Sequence, residues 1–137
     1  MAPDELLARL SSTLRHDIGP AVVEPFPKTQ AFMASVVLEK LSAQIRLASA
    51  HAEAEATDLV ALAADLPPLL GTAPVPAAVA AATDRLAAGD GVPALSALVA
   101  ALWAEREALG PERFEAVLAR ARITMRARID RQMEYAA

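Results

Sequence analysis

The fold of this chain is decided by residues 28–66, which read KTQAFMASVVLEKLSAQIRLASAHAEAEATDLVALAADL. No proline or glycine interrupts the stretch, and it is rich in alanine, leucine and glutamate, which are strong helix formers. It therefore predicts one long helix over this range, ended by the proline pair that follows. A break near Thr57 and Asp58 is an open alternative, because an aspartate could cap a new helix there.

The apolar residues of this helix cover most of its circumference. Met33, Val37 and Leu41 share one side, and further apolar residues lie on both flanks. The remaining polar face is narrow, is expected to be exposed to solvent, and consists of Ser35, Glu39, Ser42, Arg46 and Glu53. A helix that is apolar over so much of its surface is either central in its fold or covered by another subunit.

Proline and glycine positions, together with apolar spacing, predict four further helices. The first is ended by Gly19-Pro20, and a glycine also follows the fourth helix of the chain. These helices are expected over Pro3–Asp17, Val75–Ala88, Val92–Leu109 and Pro111–Tyr135.

Three prolines between Pro20 and Pro27 predict an extended segment, because proline disfavours helical backbone in the residue before it. Val22, Val23 and Phe26 are expected to face the core. The sequence thus predicts an all-α fold, with about five helices in a bundle-like arrangement around one long central helix. We expect a single helical domain over residues 1–137.

Composition limits the classes of function. The chain has 137 residues, a net charge of −4 and no cysteine, so disulfides and thiolate chemistry are excluded. An acidic protein is a poor candidate for binding nucleic acid or an anionic membrane, and neither partner is expected. The first residues do not resemble a signal peptide, and no apolar run approaches the roughly 20 residues of a membrane span. We therefore expect a cytoplasmic protein.

A first chemical signal is the run Arg15-His16-Asp17-Ile18-Gly19-Pro20. It resembles the phospho-accepting box of sensor histidine kinases, which implies that His16 is a phospho-acceptor and that Asp17 orients its ring. The proline comes one position earlier than in that box. The alternative is a helix C-terminus, where a histidine lies favourably near the negative end of the helix dipole.

A second signal is a polar row on the apolar side of the long helix. Lys40, Gln44 and His51 lie within about 20° of one line at 100° per residue, and Glu55 is close to it. One interpretation is a pocket for a small anion, in which His51 and Glu55 form an acid–base pair. The other is a hydrogen-bonded polar network without a ligand.

The last predicted helix is rich in arginine. The arginines do not gather on one outward face, as a nucleic-acid-binding helix would require, but flank the apolar stripe on both sides. Long arginine stems that cover the borders of a buried stripe explain this pattern. The residues are Arg113, Arg120, Arg122, Arg126, Arg128 and Arg131.

The sequence lacks the motifs of common enzymes. Neither histidine follows a glutamate at the spacing of di-iron bundles, and no glycine-rich nucleotide loop is present. We therefore expect no metal, no cofactor and no enzymatic activity.

The run LRHDIGPAVVEPFPKTQAFMASVVLEKL, residues 14–41, resembles a family of small bacterial helical proteins of unknown function. The resemblance covers about the first 65 residues and carries no site residues onto this chain. That family is associated with aminoglycoside-phosphotransferase-like proteins and acyl-CoA dehydrogenases, which implies an accessory role beside a kinase-like or acyl-CoA enzyme. We expect a non-catalytic interaction protein that forms a homodimer or binds a protein partner. Histidine phosphotransfer through His16 and small-anion binding by Lys40, Gln44 and His51 are the alternatives.

Overall fold

The computed structural model describes residues 1–135, and every regular element in that range is a helix, which confirms the all-α prediction. The helices are α1 (Pro3–Thr13), α2 (Gly19–Ala21), α3 (Pro25–Leu70), α4 (Ala77–Ala87), α5 (Gly91–Ala104), α6 (Arg106–Leu109) and α7 (Pro111–Glu134). A π-helical segment, Leu14–Ile18, joins α1 to α2. None of the helices formed by residues 1–135 is both long and apolar enough to span a membrane.

The prediction that Gly19-Pro20 ends the first helix is wrong, because the chain stays helical to Ala21. The Gly19 N–H bonds to the carbonyl of Leu14, five residues back, and this wide turn absorbs the change in register. Pro20 then lies in the first turn of α2, where its missing N–H costs nothing. A Cβ on Gly19 would come 2.9 Å from the Leu14 oxygen and 3.2 Å from the Phe32 ring, so this glycine permits close packing.

The long helix extends beyond both of its predicted ends. It begins at Pro25, so only residues 22–24 are non-helical and most of the predicted extended segment is wrong. It also continues through Pro67 and Pro68 and is unbroken at Thr57. Prolines are accepted in the first turn, and at the other end Gly71 closes the helix with φ +69° and an N–H bond to the Pro67 oxygen.

The remaining helices follow the predictions with one difference. The helix expected over Val92–Leu109 is divided at Glu105 into α5 and α6. Gly110, with φ +80°, follows α6, and Pro111 begins α7 as predicted.

The chain divides into two compact units, so the prediction of a single domain stays a prediction. The C-terminal unit, Ala52–Arg131, has an apolar core supplied by α3, α4, α5 and α7. Phe114 lies in this core, with its ring edge-on to Trp103 at 5.0 Å between centroids. The largest fully buried apolar side chains are Phe114, Leu62, Leu66, Leu86, Leu98, Leu102, Val79 and Val117.

The N-terminal unit, Met1–His51 with the residues from Gln132 onward, contains none of the buried apolar side chains found within residues 1–135. Its buried residues are Ser11, Gly19, Ser35 and Ser42. The prediction that Ser35 and Ser42 belong to a solvated face is therefore wrong. The predicted core positions Val23 and Phe26 are also wrong, since they are 90% and 73% exposed, while Val22 is half-buried.

Candidate functional site

The N-terminal unit is built on a helical hairpin, formed by α1 with its π-helical extension and by α3 up to His51. The Ser11 hydroxyl donates to the Ser35 carbonyl at 2.7 Å, and the Ser42 hydroxyl donates to the Asp4 carbonyl at 2.8 Å. These pairings make the two helices antiparallel. Small serine side chains let the helices approach closely, and their hydroxyls find backbone acceptors in the buried contact.

A polar groove of about 440 Å³ lies along one side of this hairpin. Four of its lining side chains are basic, namely Arg15 and His16 from the π-helical segment and Lys40 and Arg46 from α3. The carboxylates are Glu39 and Glu134. The other lining residues are Ala8, Ser11, Ser12, Ser42, Ala43 and Leu47.

Both carboxylates of the polar groove contact a basic side chain. Glu39 forms an ion pair with Arg15 at 2.9 Å between Nη2 and Oε2. Glu134 lies 2.9 Å from Nε2 of His51. Arg46 has no side-chain hydrogen bond or ion pair to any residue between 1 and 135. Among residues 1–135, the groove therefore contains a basic side chain, Arg46, that no neighbour neutralises.

The predicted phospho-acceptor His16 is exposed and lies on the edge of the polar groove, within a helical segment. Asp17, predicted to orient its ring, is exposed and does not line the groove. The structure thus places His16 on the same groove as Lys40, which the sequence had assigned to a separate candidate site.

The four residues of the predicted anion pocket do not meet in one place. Lys40 lines the polar groove, whereas Gln44 is exposed and outside it. His51 contacts Tyr135, with 2.7 Å between Nδ1 and the phenol oxygen, in addition to Glu134. Glu55 belongs to the C-terminal unit and pairs with Arg128 at 3.1 Å. The expected His51–Glu55 pair is replaced by a contact of His51 with residues more than eighty positions away, which local spacing could not indicate.

The opposite side of the hairpin is apolar. At about 100° of rotation per residue, Leu6 and Leu10 on α1 and Val37, Leu41 and Ile45 on α3 lie across the serine contact from the groove. All five side chains are between 42% and 55% exposed. We call these five residues the apolar face of the hairpin.

The arginines of α7 act within the C-terminal unit. Arg120 forms an ion pair with Asp65 at 2.7 Å, and Arg131 forms one with Asp58 at 2.8 Å. The pair of Arg128 with Glu55 is of the same kind. Arg113 donates to the carbonyls of Leu109 and Pro74 and so satisfies acceptors at helix and loop ends. Their acidic partners on α3 recur on one side of that helix, and this spacing could have predicted the ion pairs from the sequence.

No group of three or more His, Asp or Glu side chains that could hold a metal ion occurs in the part of the chain that the structure describes. Comparison with known proteins gives no match, whether to a family model, to a curated protein or to a solved structure.

Proposed function

We propose that this chain is a non-catalytic interaction protein that pairs with a second copy through the apolar face of its hairpin. The apolar side chains buried in the described chain all lie between Leu59 and Ala121, whereas most of the large exposed ones precede His51. A two-helix hairpin with a serine-lined contact has no apolar core of its own and gains one when another surface covers it.

A second copy suits this surface for a geometric reason. Leu6 and Leu10 form one ridge at i, i+4 spacing, and Val37, Leu41 and Ile45 form a second ridge beside it. Two such hairpins related by a two-fold axis make a four-helix bundle, which is a common way to bury helix ridges. The contact is self-complementary, because apolar side chains meet apolar side chains and no charge needs a partner.

The size of the hairpin is adequate for a dimer. The segment Pro3–Ile18 is about 24 Å long at 1.5 Å per residue, and two adjacent helices are about 20 Å wide. The projected face is therefore about 500 Å², and side-chain relief raises its accessible area toward the roughly 800 Å² per partner of a standard interface.

Light scattering with size-exclusion chromatography tests the proposal over the micromolar range. We expect the wild-type chain to move from its monomer mass of 14.3 kDa to twice that value as the concentration rises. Leu41→Glu and Leu10→Glu should keep the chain monomeric, because a carboxylate in a buried apolar contact is costly. Val60→Glu is the matched control, since Val60 is exposed and belongs to the C-terminal unit.

A wild-type chain that stays monomeric throughout would overturn the pairing with a second copy. It would favour a different partner, such as the kinase-like or acyl-CoA enzyme that the family resemblance implies. Equal dimerisation of the Leu41→Glu and Val60→Glu variants would also count against this face, because the contact would then lie elsewhere.

Phosphotransfer through His16 is a second candidate function. Its support is that His16 is exposed, lies in a helical segment and lines the same polar groove as Lys40 and Arg46, and such a basic groove would attract a phosphorylated partner. Incubation with a response regulator phosphorylated on aspartate tests it. Label transfer to the wild type, and none to His16→Ala, would support this function. No transfer, or equal transfer to both, would refute it.

A further inference from the structure

We infer that a groove between α5 and α7 binds a small aliphatic molecule with a single chain and an uncharged polar head. The groove lies wholly in the C-terminal unit, so the inference does not depend on pairing of the hairpin. Its volume of about 400 Å³ is within the range of about 300–1,000 Å³ for small-molecule sites. We call it the α5–α7 groove, and its apolar walls are Val92, Leu95, Val99, Ala100, Met125 and Ile129.

The α5–α7 groove is elongated along its helices. Its lining on α5 extends from Val92 to Ala100, which is about 12 Å at 1.5 Å per residue. Trp103 of α5 contacts Phe114 of α7 close to the turn that joins the helices. Val92 lies eleven residues before Trp103, and Met125 lies eleven residues after Phe114, so the end of the groove at Val92 is level with Met125. A groove of this length fits an extended chain better than a compact ring system.

The walls of the α5–α7 groove favour an apolar ligand. Leu95 is buried and Val99 is half-buried, whereas Met125 and Ile129 are 36% and 49% exposed. An aliphatic chain that covers these side chains removes apolar surface from water, which is favourable. The unbranched methionine side chain is flexible and adapts to the shape of such a chain.

The polar end of the α5–α7 groove is formed by Arg128, three residues beyond Met125. Nε of Arg128 pairs with Glu55 at 3.1 Å, which offsets its charge. The two terminal nitrogens of Arg128 make no hydrogen bond to any residue between 1 and 135, so they remain available as donors. A neutral oxygen, such as the hydroxyl of an alcohol, accepts from these donors. An anionic head is disfavoured, because the ion pair is neutral and the chain has a net charge of −4.

Methyl NMR of the chain labelled with ¹³C-methyl methionine tests the inference. Of the four methionines, Met125 is the one that lines the α5–α7 groove. Titration with 1-pentanol to 1-octanol should shift the Met125 methyl signal saturably. The dissociation constant should fall by up to about fourfold per added methylene, since burying a CH₂ group is worth about 0.8 kcal/mol. Met33, which is exposed in the N-terminal unit, is the internal control and should shift little.

Two variants compare the groove with another exposed surface. Ser96 is an exposed lining residue, so the ring of Ser96→Phe can enter the groove without entering the core. This variant should bind 1-octanol at least about tenfold more weakly, because the ring occupies the place of two or more methylenes of the ligand. Ala119→Phe, at an exposed position of α7 outside the groove, is the matched control and should bind like the wild type. Circular dichroism confirms that both variants are folded.

Octanoate tests the charge of the head and should bind no more tightly than 1-octanol. Tighter binding of octanoate would overturn the uncharged head. Absence of a saturable Met125 shift would overturn the inference as a whole, and so would equal shifts of Met125 and Met33, because the alcohol would then cover exposed apolar surfaces in general. A Met125 shift that appears on concentrating the protein without alcohol would assign the groove to a second copy and would also overturn the inference.

Discussion

The two ends of α3 belong to one continuous helix, yet their apolar side chains have opposite surroundings. In the C-terminal unit, Leu59, Leu62 and Leu66 are buried among side chains of α4, α5 and α7. In the N-terminal unit, Val37 and Leu41 are exposed, and the buried positions are serines. An apolar stripe therefore shows which side of a helix needs to be covered, but not whether the same chain covers it.

The largest effect that separates the two regions should come from removing core leucines. Leu62→Ala and Leu98→Ala are expected to lower the free energy of unfolding by about 2–5 kcal/mol, because each leaves a cavity in a packed core. Leu41→Ala should cost less than about 1 kcal/mol when the chain is monomeric, since its side chain is already about half solvated. Urea unfolding at low protein concentration measures all three. Equal losses would show that the hairpin has a core that its exposed residues conceal.

An intermediate effect is expected at the serine contact of the hairpin. Ser35 is fully buried where α1 meets α3, so Ser35→Leu should force the helices apart and cost about 1–3 kcal/mol. Ser49→Leu, at an exposed position of the same helix, is the control and should change stability little. Urea unfolding compares them. A loss confined to Ser49→Leu, or absent from both, would contradict close packing at Ser35.

The smallest effects are expected for the ion pairs of α7. Arg120→Ala removes a pair in which the arginine is largely buried, and it should cost up to about 1 kcal/mol. Arg126→Ala removes an exposed pair within one helix and should cost about 0.3–0.5 kcal/mol or less. Thermal unfolding at low and high salt compares the two variants, and a larger cost for Arg126→Ala would show that burial does not rank these pairs.

The sequence was sufficient to predict the helical class and the long helix, because helix propensity and the absence of proline and glycine act locally. The sequence was misleading at Gly19-Pro20, where a π-helical turn keeps the chain helical before the proline. It was also misleading at Pro67, because α3 continues through this proline for its last turn. Whether a proline ends a helix depends at both places on the backbone of the neighbouring turns. A prediction that treats each proline or glycine separately does not include that dependence.

The candidate site was only partly predictable from the sequence. His16 and Lys40 were both identified, but as members of separate sites, and the structure places them on one groove. That groove forms where α1 packs against α3, and the buried contact is made by serines that the hydrophobic pattern assigned to solvent. Glu134 was not identified because it approaches from the far end of the chain.

We propose that the hairpin acquires its core from a second copy, while the C-terminal unit already contains its own. Amide hydrogen exchange of the wild-type chain, measured at low and high protein concentration, tests this contrast most directly. We expect protection of α1 and of α3 up to His51 to increase with concentration, while protection around Leu62 and Leu98 stays constant. Protection of α1 that is the same at every concentration would show that the hairpin does not gain its core from a second copy.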